Sequence, residues 1–223
     1  MAIKPARRVV VVGGGTAGWM TAAALSTLLT DGYEIRLVES DEIGIVGVGE
    51  ATIPHIRKFN QALELDEDEF LRRTQGSFKL GIEFVNWGRV GDRYIHGFGT
   101  IGQDFYGTPF HHYWLRRAGE GRVGDLGACS INTVAPLHAK FMRPRPEMAG
   151  SPLAEIAYAF HFDASLYARY LREYGEARGV KRTEGKITEV RQREADGFIT
   201  AVVMESGEVI EGDFFIDWFN FII

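Results

Sequence analysis

Residues 9–29, VVVVGGGTAGWMTAAALSTLL, decide the fold class. Four consecutive valines form the short apolar run of a strand buried on both faces. The run breaks at Gly13, Gly14 and Gly15 and resumes as an Ala-, Leu- and Met-rich segment with high helix propensity. Gly13, Gly15 and Gly18 have the spacing G-x-G-x-x-G between strand and helix, the context that a dinucleotide-binding turn requires. In that reading Gly13 allows the tight turn, Gly15 lets a pyrophosphate approach the backbone, and Gly18 lets the helix pack closely on the strand. Thr16 and Ala17 then open the helix, whose N-terminus favours phosphate. Residues 35–39 read as a second strand, and Glu39 follows Gly18 by 21 residues. A carboxylate at that distance accepts hydrogen bonds from an adenosine ribose.

A chain of 223 residues can bury a substantial core. Its composition, 45% hydrophobic and 25% charged, is that of an ordinary globular protein. The net charge of −5 gives no general attraction to nucleic acid or to an anionic membrane. Lys4, Arg7 and Arg8 precede an apolar run that ends at once in glycines, which is a strand entering a turn and not a signal peptide. No apolar stretch reaches the length of a bilayer span. Cys129 is the single cysteine, so no disulfide framework exists, and a reducing cytoplasm is the simplest compartment. The adjacent pair His111 and His112, with His161, lacks an acid or Cys to complete a ligand set, so no metal is expected.

Farther along, Gly44, Gly47 and Gly49 predict a close-packed loop in place of a helix or strand. Helices are predicted over 55–63, 66–74, 111–118, 131–142 and 163–178, the last with Asp163 as N-cap. Residues 77–87 alternate as a strand, with Phe78, Leu80, Ile82 and Phe84 on one face and Lys79 and Glu83 on the other. Pattern alone makes Lys79 a solvated strand residue. Residues 89–109 read as irregular structure around a pocket, and 143–152, with three prolines, as a surface loop. Strands over 186–193 and 198–204 form a hairpin about Ala195, Asp196 and Gly197, and a third strand spans 209–216.

Four blocks, GGGTAGWMTAAAL (13–25), GVGEATIP (47–54), SFKLGIEFVNW (77–87) and AYAFHFDASLYARYL (157–171), resemble in order and spacing the flavin-dependent tryptophan halogenase family. The resemblance implies an α/β, Rossmann-like FAD-binding fold of the flavin monooxygenase and halogenase type, with an additional β-sheet and helical elements. It implies dinucleotide-binding segments at 7–54 and 155–217 and an inserted substrate-side segment at 75–150, all within the N-terminal part of a single domain. FAD would arrive as FADH2 from a separate flavin reductase. Chloride or bromide would be oxidised to hypohalous acid, which travels through a tunnel to tryptophan or another indole. The family resemblance allows a homodimer.

By position in its block, Lys79 is the lysine that presents electrophilic halogen to the substrate. Gly49, Glu50 and Ala51 belong to a loop that straps across the flavin, although Glu50 also reads as a helix N-terminal acid. Val190 falls where such flavoproteins set strand backbone against adenine, and it also reads as an ordinary hairpin valine. Phe110, His111 and Trp114 are either aromatic walls of an indole pocket or core residues. The family continues past residue 217 with a glycine turn and a later Trp-x-Trp-x-Ile-Pro motif, whereas residues 218–223 here read WFNFII. The chain is therefore expected to be the family's N-terminal portion. Alternatives are a flavin monooxygenase of related fold and an inactive FAD-binding fragment.

Overall fold

The valine run is strand β1 (Arg8–Val12), and Val9 to Val12 are all buried. Each such burial contributes roughly 1.5 kcal/mol or more, which makes this run the centre of a sheet. The computed structural model describes residues 7–29, 32–42 and 49–218. After β1 come α1 (Thr16–Leu28), β2 (Glu34–Glu39), β3 (Gly49–Ala51), α2 (His55–Ala62) and α3 (Glu67–Thr74). Next are β4 (Ser77–Lys79), β5 (Gly81–Val85), β6 (Arg93–Gly97), α4 (Phe110–Gly119), α5 (Ile131–Leu137) and β7 (Ala159–Asp163). The chain continues through α6 (Ala164–Glu176), β8 (Lys181–Glu184), β9 (Ile187–Gln192), β10 (Ile199–Met204), β11 (Val209–Glu211) and β12 (Phe214–Asp217). It divides into two units, residues 1–50, 60–76 and 162–223, and residues 51–59 and 77–161.

The first unit is built on a parallel sheet of order β12-β1-β2-β8. Helix α1 buries Gly18, Trp19, Ala22 and Ala23, small residues around one large one, and Trp19 meets Gly175 of α6. Asp163 caps α6 as its sequence predicts, accepting the N–H groups of Ser165 and Leu166 at 2.8 and 3.0 Å. Phe70 of α3 meets Phe162 and Tyr167 edge to face, with centroids 5.4 and 5.3 Å away. The antiparallel sheet β11-β10-β9 supplies Val202, Met204 and Ile210 to a cluster with Val10, Val12 and Val38.

In the second unit β4 pairs antiparallel with β7, setting Lys79 opposite Ala159, while β5 and β6 form a separate hairpin. Phe78 stacks on Phe141 at 3.9 Å, and Tyr158 packs edge-on against both. Among the described residues no helix is long and apolar enough to cross a membrane.

Several elements differ from their sequence expectation. The strand 77–87 is two strands, because the Leu80 carbonyl leaves the ladder and accepts from Phe98 N at 2.9 Å and from Asn132 Nδ2 at 3.3 Å. Lys79 is buried, not solvated. The strand 209–216 divides at Gly212 and Asp213, where the backbone exchanges partners: Gly212 N donates to Thr200 O, and Asp213 N to Arg8 O. Helix α5 stops at Leu137, one residue after Pro136, and Ala139 takes φ +50. The irregular region 89–109 contains β6, and Gly49 begins a strand, not a loop. Lys4, Gly44, Gly47 and residues 219–223 lie outside the described residues.

Asp213 ties the start of β12 to β1. Its Oδ2 accepts the backbone N–H groups of Arg7 and Arg8 at 3.0 and 2.9 Å, and Oδ1 accepts from Arg8 Nη2 at 3.0 Å. These donors, the Arg8 guanidinium first, hold the Asp213 carboxyl well below the usual carboxylate range. A depressed folded-state pKa means that the stabilisation is present above about pH 4 and is lost as pH falls through the folded value. Asp213→Asn is expected to cost about 1 kcal/mol at pH 7, since the group is largely solvated. In thermal unfolding the difference from wild type narrows as pH drops below 4. A difference independent of pH would contradict this account.

Candidate active site

The glycine turn lies at the C-terminal end of β1, where parallel sheets bind ligands. Gly13 takes φ +106 and donates its N–H to Val38 O at 2.8 Å. A Cβ on Gly18 would stand 1.8 Å from Gly13 O, so α1 could not pack here with any side chain at 18. A Cβ on Gly15 would meet nothing within 4 Å, leaving the backbone open to an incoming group. Gly15 caps α1 without a side-chain hydrogen bond, and helix N-termini of this kind suit phosphate. Thr16 and Ala17 are half-buried, and Thr16 Oγ1 donates to Ala164 O at 3.3 Å.

Glu39 ends β2 beside this turn. Its Oε2 accepts from Trp19 Nε1 at 3.2 Å and its Oε1 from Arg182 Nε, while Arg172 Nη1 stands 3.9 Å from Oε1. Arg182 also donates to Asp41 Oδ1 at 2.6 Å. Burial opposes its charge, but the hydrogen bonds to Glu39 and Asp41 outweigh that and raise the Arg182 pKa. A Cβ on Gly14 would fall 1.5 Å from Glu39 Oε2, so the carboxylate lies directly on the glycine backbone. A cleft of about 300 Å³ opens here, lined by Gly14, Gly15, Trp19, Glu39, Arg169 and Arg172 among others. An open glycine backbone, a helix N-terminus and a carboxylate together fit the adenosine diphosphate half of FAD. Trp19, Arg172, Arg182 and Gly14 are additions to the residues read from sequence.

Val190 pairs with Val202, and its half-buried side chain packs against the first unit's core cluster. In β3 Gly49 is exposed and Glu50 half-buried.

Lys79 occupies the second unit. It is 6% exposed, and its Nζ donates to the carbonyls of Ala51 and Thr52 at 3.1 and 2.9 Å. Thr52 is itself fixed to β7: its N and Oγ1 both donate to Phe160 O, at 3.1 and 2.9 Å. Two of the three ammonium donors are therefore spent on backbone carbonyls. The Phe98 ring centroid lies 5.4 Å from Nζ. Burial lowers the Lys79 pKa, because removing water disfavours the ammonium. His161, on β7 opposite Ser77, is lowered too, first by burial and then by the Lys79 charge.

Phe110, His111 and Trp114 lie on α4, none of whose residues is buried. The Phe110 ring packs over Gly102, His111 sits against His112 with centroids 4.1 Å apart, and Trp114 Nε1 donates to Gly124 O at 3.2 Å. None of the three is among the hydrogen-bond or ring partners of Lys79; Phe98 is. Phe98 sits in the glycine- and aromatic-rich block 96–114, but its spacing carries no signal that singles it out.

The family model for tryptophan halogenase matches residues 8–219. The chain belongs to the tryptophan halogenase family. It is 36% identical to the 7-chloro-L-tryptophan 6-halogenase KtzR of Kutzneria sp. (strain 744), covering 95% of this chain and 44% of KtzR. It is 34% identical to the tryptophan 7-halogenase RebH of Lentzea aerocolonigenes, covering 96% of this chain and 42% of RebH. Among solved structures it superposes on BrvH, a flavin-dependent halogenase from Brevundimonas sp. BAL3, with a TM-score of 0.88 and 44% identity, over 96% of this chain and 42% of BrvH. The Rossmann-like α/β fold is thus that of the flavin-dependent halogenases. The chain spans less than half the length of these family members.

Proposed function

We propose that this chain is the flavin-binding and lysine-bearing portion of an FADH2-dependent halogenase that acts on tryptophan or another indole-type aromatic. The observation that carries the reading is Lys79, a buried amine with a lowered pKa, held on the carbonyls of Ala51 and Thr52. In the first unit Gly13, Gly15, Thr16, Ala17 and Gly18 would hold the cofactor's pyrophosphate, and Glu39 its ribose. Gly49, Glu50, Ala51 and Val190 are further cofactor neighbours in this reading, and Phe110, His111 and Trp114 remain candidates for substrate contact. Reduced flavin, when bound, supplies the activation of oxygen that turns chloride or bromide into hypohalous acid. It is delivered by a separate flavin reductase.

Lys79 then controls the halogen. Burial favours its neutral amine, whose lone pair attacks the halogen of hypohalous acid. The halogen–oxygen bond breaks, and the departing hydroxide takes the amine proton as water. The resulting N–halogen bond places electrophilic halogen opposite an aromatic substrate, with Phe98 as a wall. Donation of a hydrogen bond from the ammonium to hypohalous acid is the alternative way for the same side chain to polarise the halogen.

Incubation with flavin reductase, NADH, FAD, bromide and either tryptophan or indole tests the reading by mass spectrometry. The expected product carries the bromine isotope pattern. A product heavier by one oxygen would instead identify a monooxygenase. Retention of FAD without any product would identify a flavin-binding portion that does not turn over alone, an outcome that coverage of only 42–44% of the relatives makes relevant.

A further inference from the structure

We infer that Trp19 and Arg182 are positioning residues that clamp the Glu39 carboxylate for a ribose diol, and so give the site its preference for adenosine ligands with free ribose hydroxyls. The inference rests on the reading of residues 13–18 as a dinucleotide turn and extends it to residues from two other elements.

A carboxylate offers about four lone-pair sites. Trp19 Nε1, from α1, fills one on Oε2 at 3.2 Å, and Arg182 Nε, from β8, fills one on Oε1. One acceptor site on each oxygen is left over, which matches the two adjacent hydroxyls of a ribose. The geometry also fixes where those acceptors stand. Glu39 Oε2 rests against Gly14, where any side chain would collide with it. The Glu39 side chain is only 12% exposed and lies on the wall of the 300 Å³ cleft. Trp19 cannot rotate away, because it is 1% exposed and packed against Gly175. Arg182 is held on its other side by Asp41. Its charge is thus committed to two carboxylates, and what faces the cleft beside Gly14 is an anionic acceptor. That arrangement accepts a diol.

The test is equilibrium binding of FAD to the chain, followed by competition with ADP and with 2′,3′-dideoxy-ADP, which lacks the diol. Wild type is expected to prefer ADP by about tenfold or more, the worth of hydrogen bonds to a charged acceptor. In Trp19→Phe and Arg182→Leu that preference falls toward one, while dideoxy-ADP binds nearly as before. On a Glu39→Ala background neither substitution changes the preference further. A structural defect would weaken both ligands together, and that result, or an unchanged preference, overturns the inference. Arg182→Leu, at the more accessible position, decides the matter if Trp19→Phe does not fold. If wild type binds neither FAD nor ADP, the dinucleotide reading itself falls, which is distinguishable from loss of preference alone.

Discussion

Lys79→Met is expected to abolish halogenation, by roughly a thousandfold or more, while FAD affinity stays at the wild-type value. The magnitude is that of removing a group that bonds to the reacting atom. Methionine is close to lysine in volume and suits the buried position, so packing is retained. What is lost is the nitrogen and two hydrogen bonds, leaving the carbonyls of Ala51 and Thr52 without their donor. Stability should fall by about 2 kcal/mol for that reason, which is a separate and measurable effect. Halogenation by Lys79→Met at the native rate would remove the lysine from the mechanism.

Gly18→Ala is expected to be among the most destabilising substitutions in the chain, costing about 3 kcal/mol or more. The new Cβ would lie 1.8 Å from the Gly13 carbonyl oxygen and 2.9 Å from its carbon, and both are backbone atoms that no rotamer change can move. Relief requires α1 to shift off β1, and Trp19 and Ala22 would shift with it. Gly15→Ala provides the contrast, because its Cβ meets nothing within 4 Å and φ is −67. Its melting temperature should stay close to that of wild type, with FAD affinity reduced by the methyl group standing where the ligand approaches. Thermal unfolding and FAD titration of both variants separate the two roles. Equal loss of stability in the two would contradict the assignment.

What was legible in the sequence follows from locality. The passage β1–turn–α1–β2 and the β9–β10 hairpin are written in short-range patterns: a valine run, glycine spacing, and an Ala-Asp-Gly turn. The Asp163 cap could be read because its partners are two and three residues away. The burial of Lys79 could not be read, since alternation reports only that it opposes Phe78 and Leu80. The carbonyls that cover it come from residues 27 and 28 positions earlier. Arg182 lies 143 residues from Glu39, and nothing in its neighbourhood distinguishes it from other strand arginines. The interruptions at Leu80 and Gly212 are not legible locally, because each is a change of hydrogen-bonding partner to residues distant in sequence, Phe98 and Asn132 in the first case and Thr200 and Arg8 in the second.

The order of the parallel sheet has a consequence for how the chain acquires its structure during synthesis. β1 is flanked by β2, about 25 residues later, and by β12, which pairs Val9 with Phe214. One edge of β1 therefore stays open while β2 to β11 are made, and it is covered only when β12 follows them. That edge is a run of four valines without a charge, the composition most apt to recruit a strand from another chain. The long-range closure is slow by its topology. Asp213, which grips the backbone of Arg7 and Arg8 from the first residues of the returning segment, serves as the latch that brings this waiting period to an end.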